Sequence, residues 1–376
     1  MLEGIERLLP DWYEEHARVL PWRGDSNPYH IWVSEIMLQQ TRVEAVKDYY
    51  LRFMAQLPDI PSLASASEDL LLKLWEGLGY YSRVRNLKKG AIYLCEVHHA
   101  EMPSTYEELI KVPGIGPYTA GAIASMAFGR PVAAVDGNVL RVWTRLTEDY
   151  GDISKQATKK SVTAQVEEVL GSLSARYTPG DFNQALMDLG SGICLGNGKP
   201  LCGECPLGTI CRAKMAGTQE ELPVKPSKKP RKIEEKTVFL LECDGRYAIR
   251  KRSGEGLLAG MWEFPAVAGH MAAGEVEKMT EGMGVKGAPE PLGDAIHIFS
   301  HIEWHMSGYC LHLGKIPENA GIGTEKRDTD AGKDGVEMGS EDAESALLRD
   351  VIWKTPEEIA RDYSIPTAFQ KYKLHM

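Results

Sequence analysis

No uncharged apolar run in this 376-residue chain approaches the ~18 residues that a membrane-spanning helix needs, which excludes an integral helical membrane protein on sequence. The opening stretch, MLEGIERLLPDWYEEH, lacks a basic segment ahead of an apolar core, so it does not read as a secretory signal and a cytoplasmic location is expected. A surplus of basic residues is missing as well, for the net charge is −10. That deficit is local. Between Glu318 and Glu344 nine acidic residues face three basic ones, a net −6 that leaves −4 for everything else. A phosphate-binding face needs only local donors, so the overall charge does not exclude a nucleic-acid partner. Cysteine is scarce, and its odd count of seven excludes a fully paired disulfide framework within one chain. What remains, 43% hydrophobic and 26% charged residues over this length, is the profile of a globular protein of two domains.

Residues 2–190 carry helical patterning, with apolar spacings of three and four over 29–56, 67–78, 84–99, 119–128, 137–147, 155–171 and 181–190. Pro58, Pro61, Pro103 and the glycines at 77, 79, 114, 116 and 151 punctuate it. Four cysteines then crowd together, Cys194, Cys202, Cys205 and Cys211. LPVKPSKKPRK at 222–232 reads as an extended linker, because proline-rich polar chain cannot bury a core; its basic residues could equally lie along phosphates. After Lys236 the pattern turns to strands: TVFLLECDGRYAIRKR reads as a hairpin around Cys-Asp-Gly, and 295–299 and 306–313 are strand-like. Residues 317–345, rich in Gly, Asp and Glu, read as an inserted acidic loop. The expected domains are 1–221 and 233–376.

Four places carry chemistry. In Leu109-Ile-Lys-Val-Pro-Gly-Ile-Gly-Pro-Tyr-Thr-Ala120, the run Val112 to Gly116 is a tight turn between helices. Gly114 and Gly116 let the backbone approach a ligand, and amides at the next helix start suit a phosphate; a plain helix connection would use the same glycines. Asp136, in Val135-Asp-Gly-Asn-Val139, is a good helix N-cap and also a carboxylate placed to meet developing positive charge. The N-terminal dipole favours its ionised form. Glu35, in Ile31-Trp-Val-Ser-Glu-Ile-Met-Leu-Gln-Gln-Thr41, is either a solvated helix residue or an acid among apolar neighbours with a raised pKa. The cysteines follow C-x7-C-x2-C-x5-C, which suits an iron–sulfur cluster; zinc also takes four cysteines, though usually from two CxxC pairs.

Taken together, the Leu109–Ala120 string, the Val135–Val139 loop and the SEIMLQQT segment after Pro21-Trp22-Arg23 resemble the MutY branch of the helix–hairpin–helix DNA glycosylases, the superfamily that includes endonuclease III. The resemblance implies a multidomain protein. An all-α helix–hairpin–helix glycosylase domain with a 4Fe–4S cluster loop precedes an α+β Nudix (MutT)-like domain. It implies that Glu35 protonates adenine, that Asp136 stabilises the oxocarbenium-like sugar, and that Tyr118 and Asn138 support the Asp136 side. The bifunctional relatives carry a Schiff-base lysine where this chain has Tyr118, so base removal without efficient strand cleavage is expected. Trp22, Arg23 and Gln184, with Leu38, Gln40 and Thr41 on the catalytic helix and Tyr80, are carried over as DNA- or lesion-contacting residues. Val112, Gly114 and Gly116 are carried over as the phosphate turn. Tyr80 and Tyr81 also read as core aromatics. The family's cysteine pattern has a first spacing of six, so this chain carries one extra residue in Leu195–Leu201; all four thiolates are still assigned to the cluster.

Gly256-Leu-Leu-Ala-Gly-Met-Trp-Glu-Phe-Pro265 and Phe299-Ser-His301 resemble the MutT-like C-terminal domain of the same family. A working Nudix hydrolase needs a glutamate-dense helix, which Gly274–Val285 does not provide, so the resemblance implies a reader of 8-oxoguanine using Ser300 and His301. The expected partner is double-stranded DNA carrying 8-oxoguanine:adenine or, more slowly, guanine:adenine. The protein is expected as a monomer without a membrane. An endonuclease III-like lyase for oxidised pyrimidines is the alternative.

Overall fold

The computed structural model describes residues 3–226, 230–281, 283–316 and 347–376. The acidic insertion expected at 317–345 lies outside the described residues. Two units are formed, Met1–Ser67 with Tyr80–Lys228, and Glu68–Gly79 with Lys229–Met376. The segment Glu68–Gly79, within 1–221 on sequence, thus groups with the second unit. No helix among the described residues is long and apolar enough to cross a membrane.

The first unit is helical: α1 (Ile5–His16), α2 (Pro28–Leu38), α3 (Val43–Gln56) and α4 (Ile60–Ser65) come before the segment of the second unit that holds α5 (Glu68–Leu74). Then follow α6 (Ser82–His98), α7 (Tyr106–Leu109), α8 (Pro117–Phe128), α9 (Gly137–Thr147), α10 (Gln156–Ser172), α11 (Pro179–Gly192) and α12 (Arg212–Ala216). Starts are written locally. Asn27 accepts a hydrogen bond from the Tyr29 amide with Pro28 at the first helical position, and Thr178 accepts from Asp181 with Pro179 likewise placed. Helix α2 is buried from Tyr29 to Met37 except at His30, its polar Ser34 and Glu35 included, and it packs on α8. Leu9, Val139, Trp143, Phe182 and Leu189 close one core among α1, α9 and α11.

The reading of 29–56 as one helical segment is corrected: it is two helices, broken at 39–42. Gln40 is in the left-handed region with φ 58°, although neither Gly nor Pro is present there.

In the second unit, β1 (Lys232–Cys243) runs parallel to β7 (Ile302–His312) at the centre of an eight-stranded sheet. Its run Val238–Leu241 is buried on both faces, which explains four consecutive apolar residues in a strand. β2 (Arg246–Lys251) pairs antiparallel with β1 through a turn at Asp244 and Gly245, both at positive φ, the conformation that a two-residue hairpin demands. β3 (Trp262–Glu263) and β8 (Val351–Lys354) flank β2, while β4 (Ala266–Ala268) pairs with β1. β5 (Glu290–Pro291) and β6 (Ala295–Ile298) pair with β7, which begins earlier than the predicted 306. The helix at Gly274–Val285 is short, α13 (Ala273–Met279); α14 (Pro356–Asp362) and α15 (Gln370–Lys373) complete the unit.

Candidate active site

Helix α2 and the start of α9 bring Glu35 and Asp136 into the wall of one cleft, with Arg23, Leu38, Tyr118 and Gln184 around them. Glu35 is 5% exposed. Burial pushes its carboxyl up to about 7, opposed by a hydrogen bond from Tyr118 and by the Arg23 charge, and the Asp136 charge pushes the same way as burial. Tyr118 Oη donates to Glu35 Oε2 at 2.5 Å and also approaches the Met187 sulfur at 3.6 Å. Tyr118 therefore stands on the Glu35 side, a correction to its predicted place beside Asp136. The reason lies in packing: Tyr118 begins α8, and α8 lies on α2.

Asp136 caps α9 as the sequence predicts. Its Oδ1 accepts from the amides of Asn138 and Val139, both at 2.8 Å, and Oδ2 accepts from Asn138 Nδ2 at 2.8 Å. Burial raises its pKa above the ordinary value, while these cap bonds and the Arg141 charge pull it back toward the anion, as a helix N-terminus is expected to do. The approach to Asp136 is fixed by Asn183, fully buried, whose Oδ1 accepts from the Ala134 amide while Nδ2 donates to Ser125 Oγ and the Val132 carbonyl. Gly121 of α8 permits this loop to lie against the helix, since a Cβ there would stand 2.2 Å from the Ala133 oxygen.

Arg23 is held by Asp188, its two nitrogens donating at 2.8 and 2.9 Å, and Arg18 pairs with the same carboxylate. Burial would raise the Asp188 pKa, but the hydrogen bonds from Arg23 and Arg18 outweigh it and hold the carboxyl below its ordinary value. Sequence reading missed Asp188, Arg18 and Asn183, whose partners lie far along the chain. Trp22 lines the cleft but is buried, its ring edge-on to Tyr50 at 5.5 Å. Gln40 and Thr41 also line the cleft, but they lie in the turn beyond Leu38, the last residue of α2, and not on that helix as predicted. Tyr80 is 46% exposed at φ 47°, so it is not a core aromatic, whereas Tyr81 is buried.

At the turn before α8, Val112 is buried and its amide donates to the Leu109 carbonyl. Gly114 has φ +83°, and a side chain there would meet Asn86 at 2.9 Å. Among the described residues the amides of Gly114 and Gly116 have no backbone acceptor. Cys194, Cys202, Cys205 and Cys211 are free thiols lining one cavity with Arg145 and Lys214. Arg145 Nη1 donates to Cys194 Sγ at 3.2 Å and to the Leu195 carbonyl at 2.8 Å. Among the described residues no three acidic, histidine or cysteine side chains are close enough to share one ion. Arg141 ties this loop to the cleft, donating to the Cys194 carbonyl at 2.9 Å and to Asn138 Oδ1 at 2.9 Å. In the second unit Ser300 and His301 are exposed in the β6–β7 hairpin, which the Phe299 amide closes on the Ile302 carbonyl at 2.8 Å. The Phe299 ring rests on Trp304 at 4.9 Å.

Residues 33–170 match the HhH-GPD superfamily of base excision DNA repair proteins, and residues 237–375 match a NUDIX domain. The chain is 36% identical to the adenine DNA glycosylase of Mus musculus over 82% of this chain and 70% of that protein. The Homo sapiens adenine DNA glycosylase is likewise 36% identical, over 82% and 67%. That of Buchnera aphidicola subsp. Baizongia pistaciae is 37% identical, over 69% and 72%. Among solved structures, a thermostable thymine-DNA glycosylase superimposes with TM-score 0.50 at 25% identity, over 57% of this chain and 97% of that one.

Proposed function

The chain belongs to the adenine DNA glycosylase family of base excision repair, and from that premise we propose that it hydrolyses the N-glycosidic bond of adenine mispaired with 8-oxoguanine or guanine. One observation carries the reading: two carboxylates share a cleft, and burial holds Glu35 as an acid up to about 7. Adenine leaves poorly as an anion, so N7 needs a proton, and a carboxyl that is half protonated near neutrality can supply it. The departing base leaves positive charge on the deoxyribose, which Asp136 meets as the anion that its Asn138 and Val139 hydrogen bonds favour. The target base must leave the stack to reach these groups. Tyr118 offers a hydroxyl and no amine, so no Schiff base forms and the strand stays intact.

The cysteine cavity fits a 4Fe–4S cluster: four free thiols surround one space, and Arg145 and Lys214 stand by to offset thiolate charge. Cys194, Cys202, Cys205 and Cys211 would hold it, and when bound it supplies a cross-link that fixes the loop beside α9. The second unit is assigned the reading of 8-oxoguanine through Ser300 and His301. This reading leans on their exposure at a hairpin tip and on a short α13 whose two glutamates, Glu275 and Glu277, fall short of the glutamate-dense helix that a hydrolase needs.

The test is single-turnover treatment of a labelled duplex carrying one 8-oxoguanine:adenine pair, with guanine:adenine and thymine-glycol duplexes alongside. Breakage at adenine only after alkali, abolished in Glu35→Gln, is expected. Alkali-independent breakage at thymine glycol with adenine untouched would favour the endonuclease III-like alternative instead.

A further inference from the structure

A helix leaves its last four carbonyls without partners, and one that stops at Leu38 with neither Gly nor Pro needs an outside donor. Arg83, in the first turn of α6, supplies it. Its Nη1 donates to the carbonyls of Ile36 at 2.8 Å, Met37 at 3.0 Å and Gln39 at 2.6 Å, and Nη2 donates to Thr41 Oγ1 at 3.4 Å. Between those last two partners sits Gln40, exposed and held at φ 58°. The same guanidinium stands 5.7 Å from the centroid of the Tyr80 ring, and the Arg83 amide donates to the Tyr80 carbonyl at 2.9 Å. Tyr80 is the second exposed non-glycine residue of this neighbourhood in the left-handed region, at φ 47°. Such conformations persist where the surroundings over-determine them, and here one side chain reaches both.

We propose that Arg83 is the positioning residue that holds Gln40 and Tyr80 in their left-handed conformations before DNA arrives, so that the partner-base contacts of the mispair are made by a preformed surface. This rests on the proposed function, since it presupposes that Gln40 and Tyr80 meet the duplex. Arginine suits the task because its planar fork serves several acceptors at once, whereas a lysine ammonium is a point donor. The partner base, more than the bond-breaking step, is what Arg83 governs: Glu35 lies a turn inside α2, where its own packing holds it.

The experiment uses full-length, cluster-loaded protein with Arg83→Lys and Arg83→Gln beside wild type. It measures duplex affinity and single-turnover rate for adenine opposite 8-oxoguanine and opposite guanine, with iron content and thermal midpoint as controls. We expect Arg83→Lys to keep its iron and midpoint and to retain a saturating rate within about threefold. Its affinity for the 8-oxoguanine duplex should weaken about tenfold, and its preference over guanine should shrink by a similar factor, the scale of one lost charge-assisted hydrogen bond. Arg83→Gln, which keeps amide donors without the fork, should show the same loss of preference. Wild-type affinity and preference in both variants would overturn the proposal. So would a fall on both substrates in proportion to a lowered midpoint, since that marks a merely structural role. Wild type that excises adenine from neither duplex would sink the proposed function itself, a result separable from any effect of Arg83.

Discussion

Replacing Glu35 by Gln should abolish activity and, above neutral pH, make the protein more stable. In the folded chain the Glu35 carboxyl rises from an ordinary 4.5 to about 7, chiefly through burial at 5% exposure. Each pKa unit corresponds to about 1.36 kcal/mol, so holding the ionised form in place costs about 3 kcal/mol. The sign follows from which state binds the proton more tightly. The folded state does, so Glu35 costs almost nothing well below pH 4.5, and stability is lost as pH rises from 4.5 to about 7 and then levels off. Glutamine keeps the shape, still accepts the Tyr118 hydroxyl and never ionises. At pH 5, where the unfolded carboxyl is already largely ionised, the gap should shrink to about 1 kcal/mol. At pH 8 the variant should be about 3 kcal/mol more stable, which for a unit of this size is a rise of roughly 6–12 °C in thermal midpoint. Thermal unfolding followed by circular dichroism at the two pH values reads this out. Equal midpoints at pH 8, or a gap at pH 5 as large as that at pH 8, would refute the claim that Glu35 is a strained, buried acid.

Three further outcomes are expected. Asp136→Asn should keep its fold, because Asn caps a helix as well as Asp, yet lose at least ~100-fold in single-turnover rate as the anion near the sugar is removed. Asp188→Ala leaves Arg23 without its buried carboxylate and should cost about 3 kcal/mol in denaturant unfolding at pH 7. Breaking a buried pair typically costs about 3–5 kcal/mol, and the low end applies because Arg18, the other partner, is 37% exposed. Since the folded Asp188 carboxyl lies below its ordinary 3.8, that deficit should persist at neutral pH and close only as the pH falls below the usual carboxylate range. Cys202→Ser should reduce iron well below ~4 per chain, bleach the visible absorption and lower the thermal midpoint, while Cys95→Ser, outside the loop, should change none of the three.

How much of this was legible beforehand differs residue by residue. The Asp136 cap and the Asp244-Gly245 hairpin were readable because each is a local pattern whose partners lie within a few residues. The Val238–Leu241 run was readable as strand but not as a strand covered on both faces, for its parallel partner β7 lies some seventy positions on. The break in 29–56 was invisible. Gln39-Gln40-Thr41-Arg42 carries no breaker, and the donor that ends α2 is Arg83, 44 to 47 positions away from the carbonyls it serves. Asp188 and Arg23 are 165 positions apart, and no spacing rule reaches that far. Tyr118 was found as the residue in place of lysine, yet its side of the site depended on how α8 lies on α2, which is a matter of packing. The upward push of burial on the Asp136 carboxyl was not readable for a related reason: capping is local, whereas desolvation is a property of the finished cleft.

The most direct test of the account is the pH dependence of adenine excision opposite 8-oxoguanine, measured as the apparent second-order constant with enzyme below saturation, so that the free enzyme is what titrates. With Glu35 as the proton donor, the constant should fall tenfold per unit above an alkaline limb near 7, the value to which burial brings Glu35. A profile that stays flat to about pH 9 would contradict it, because the proton would then come from some other group than Glu35.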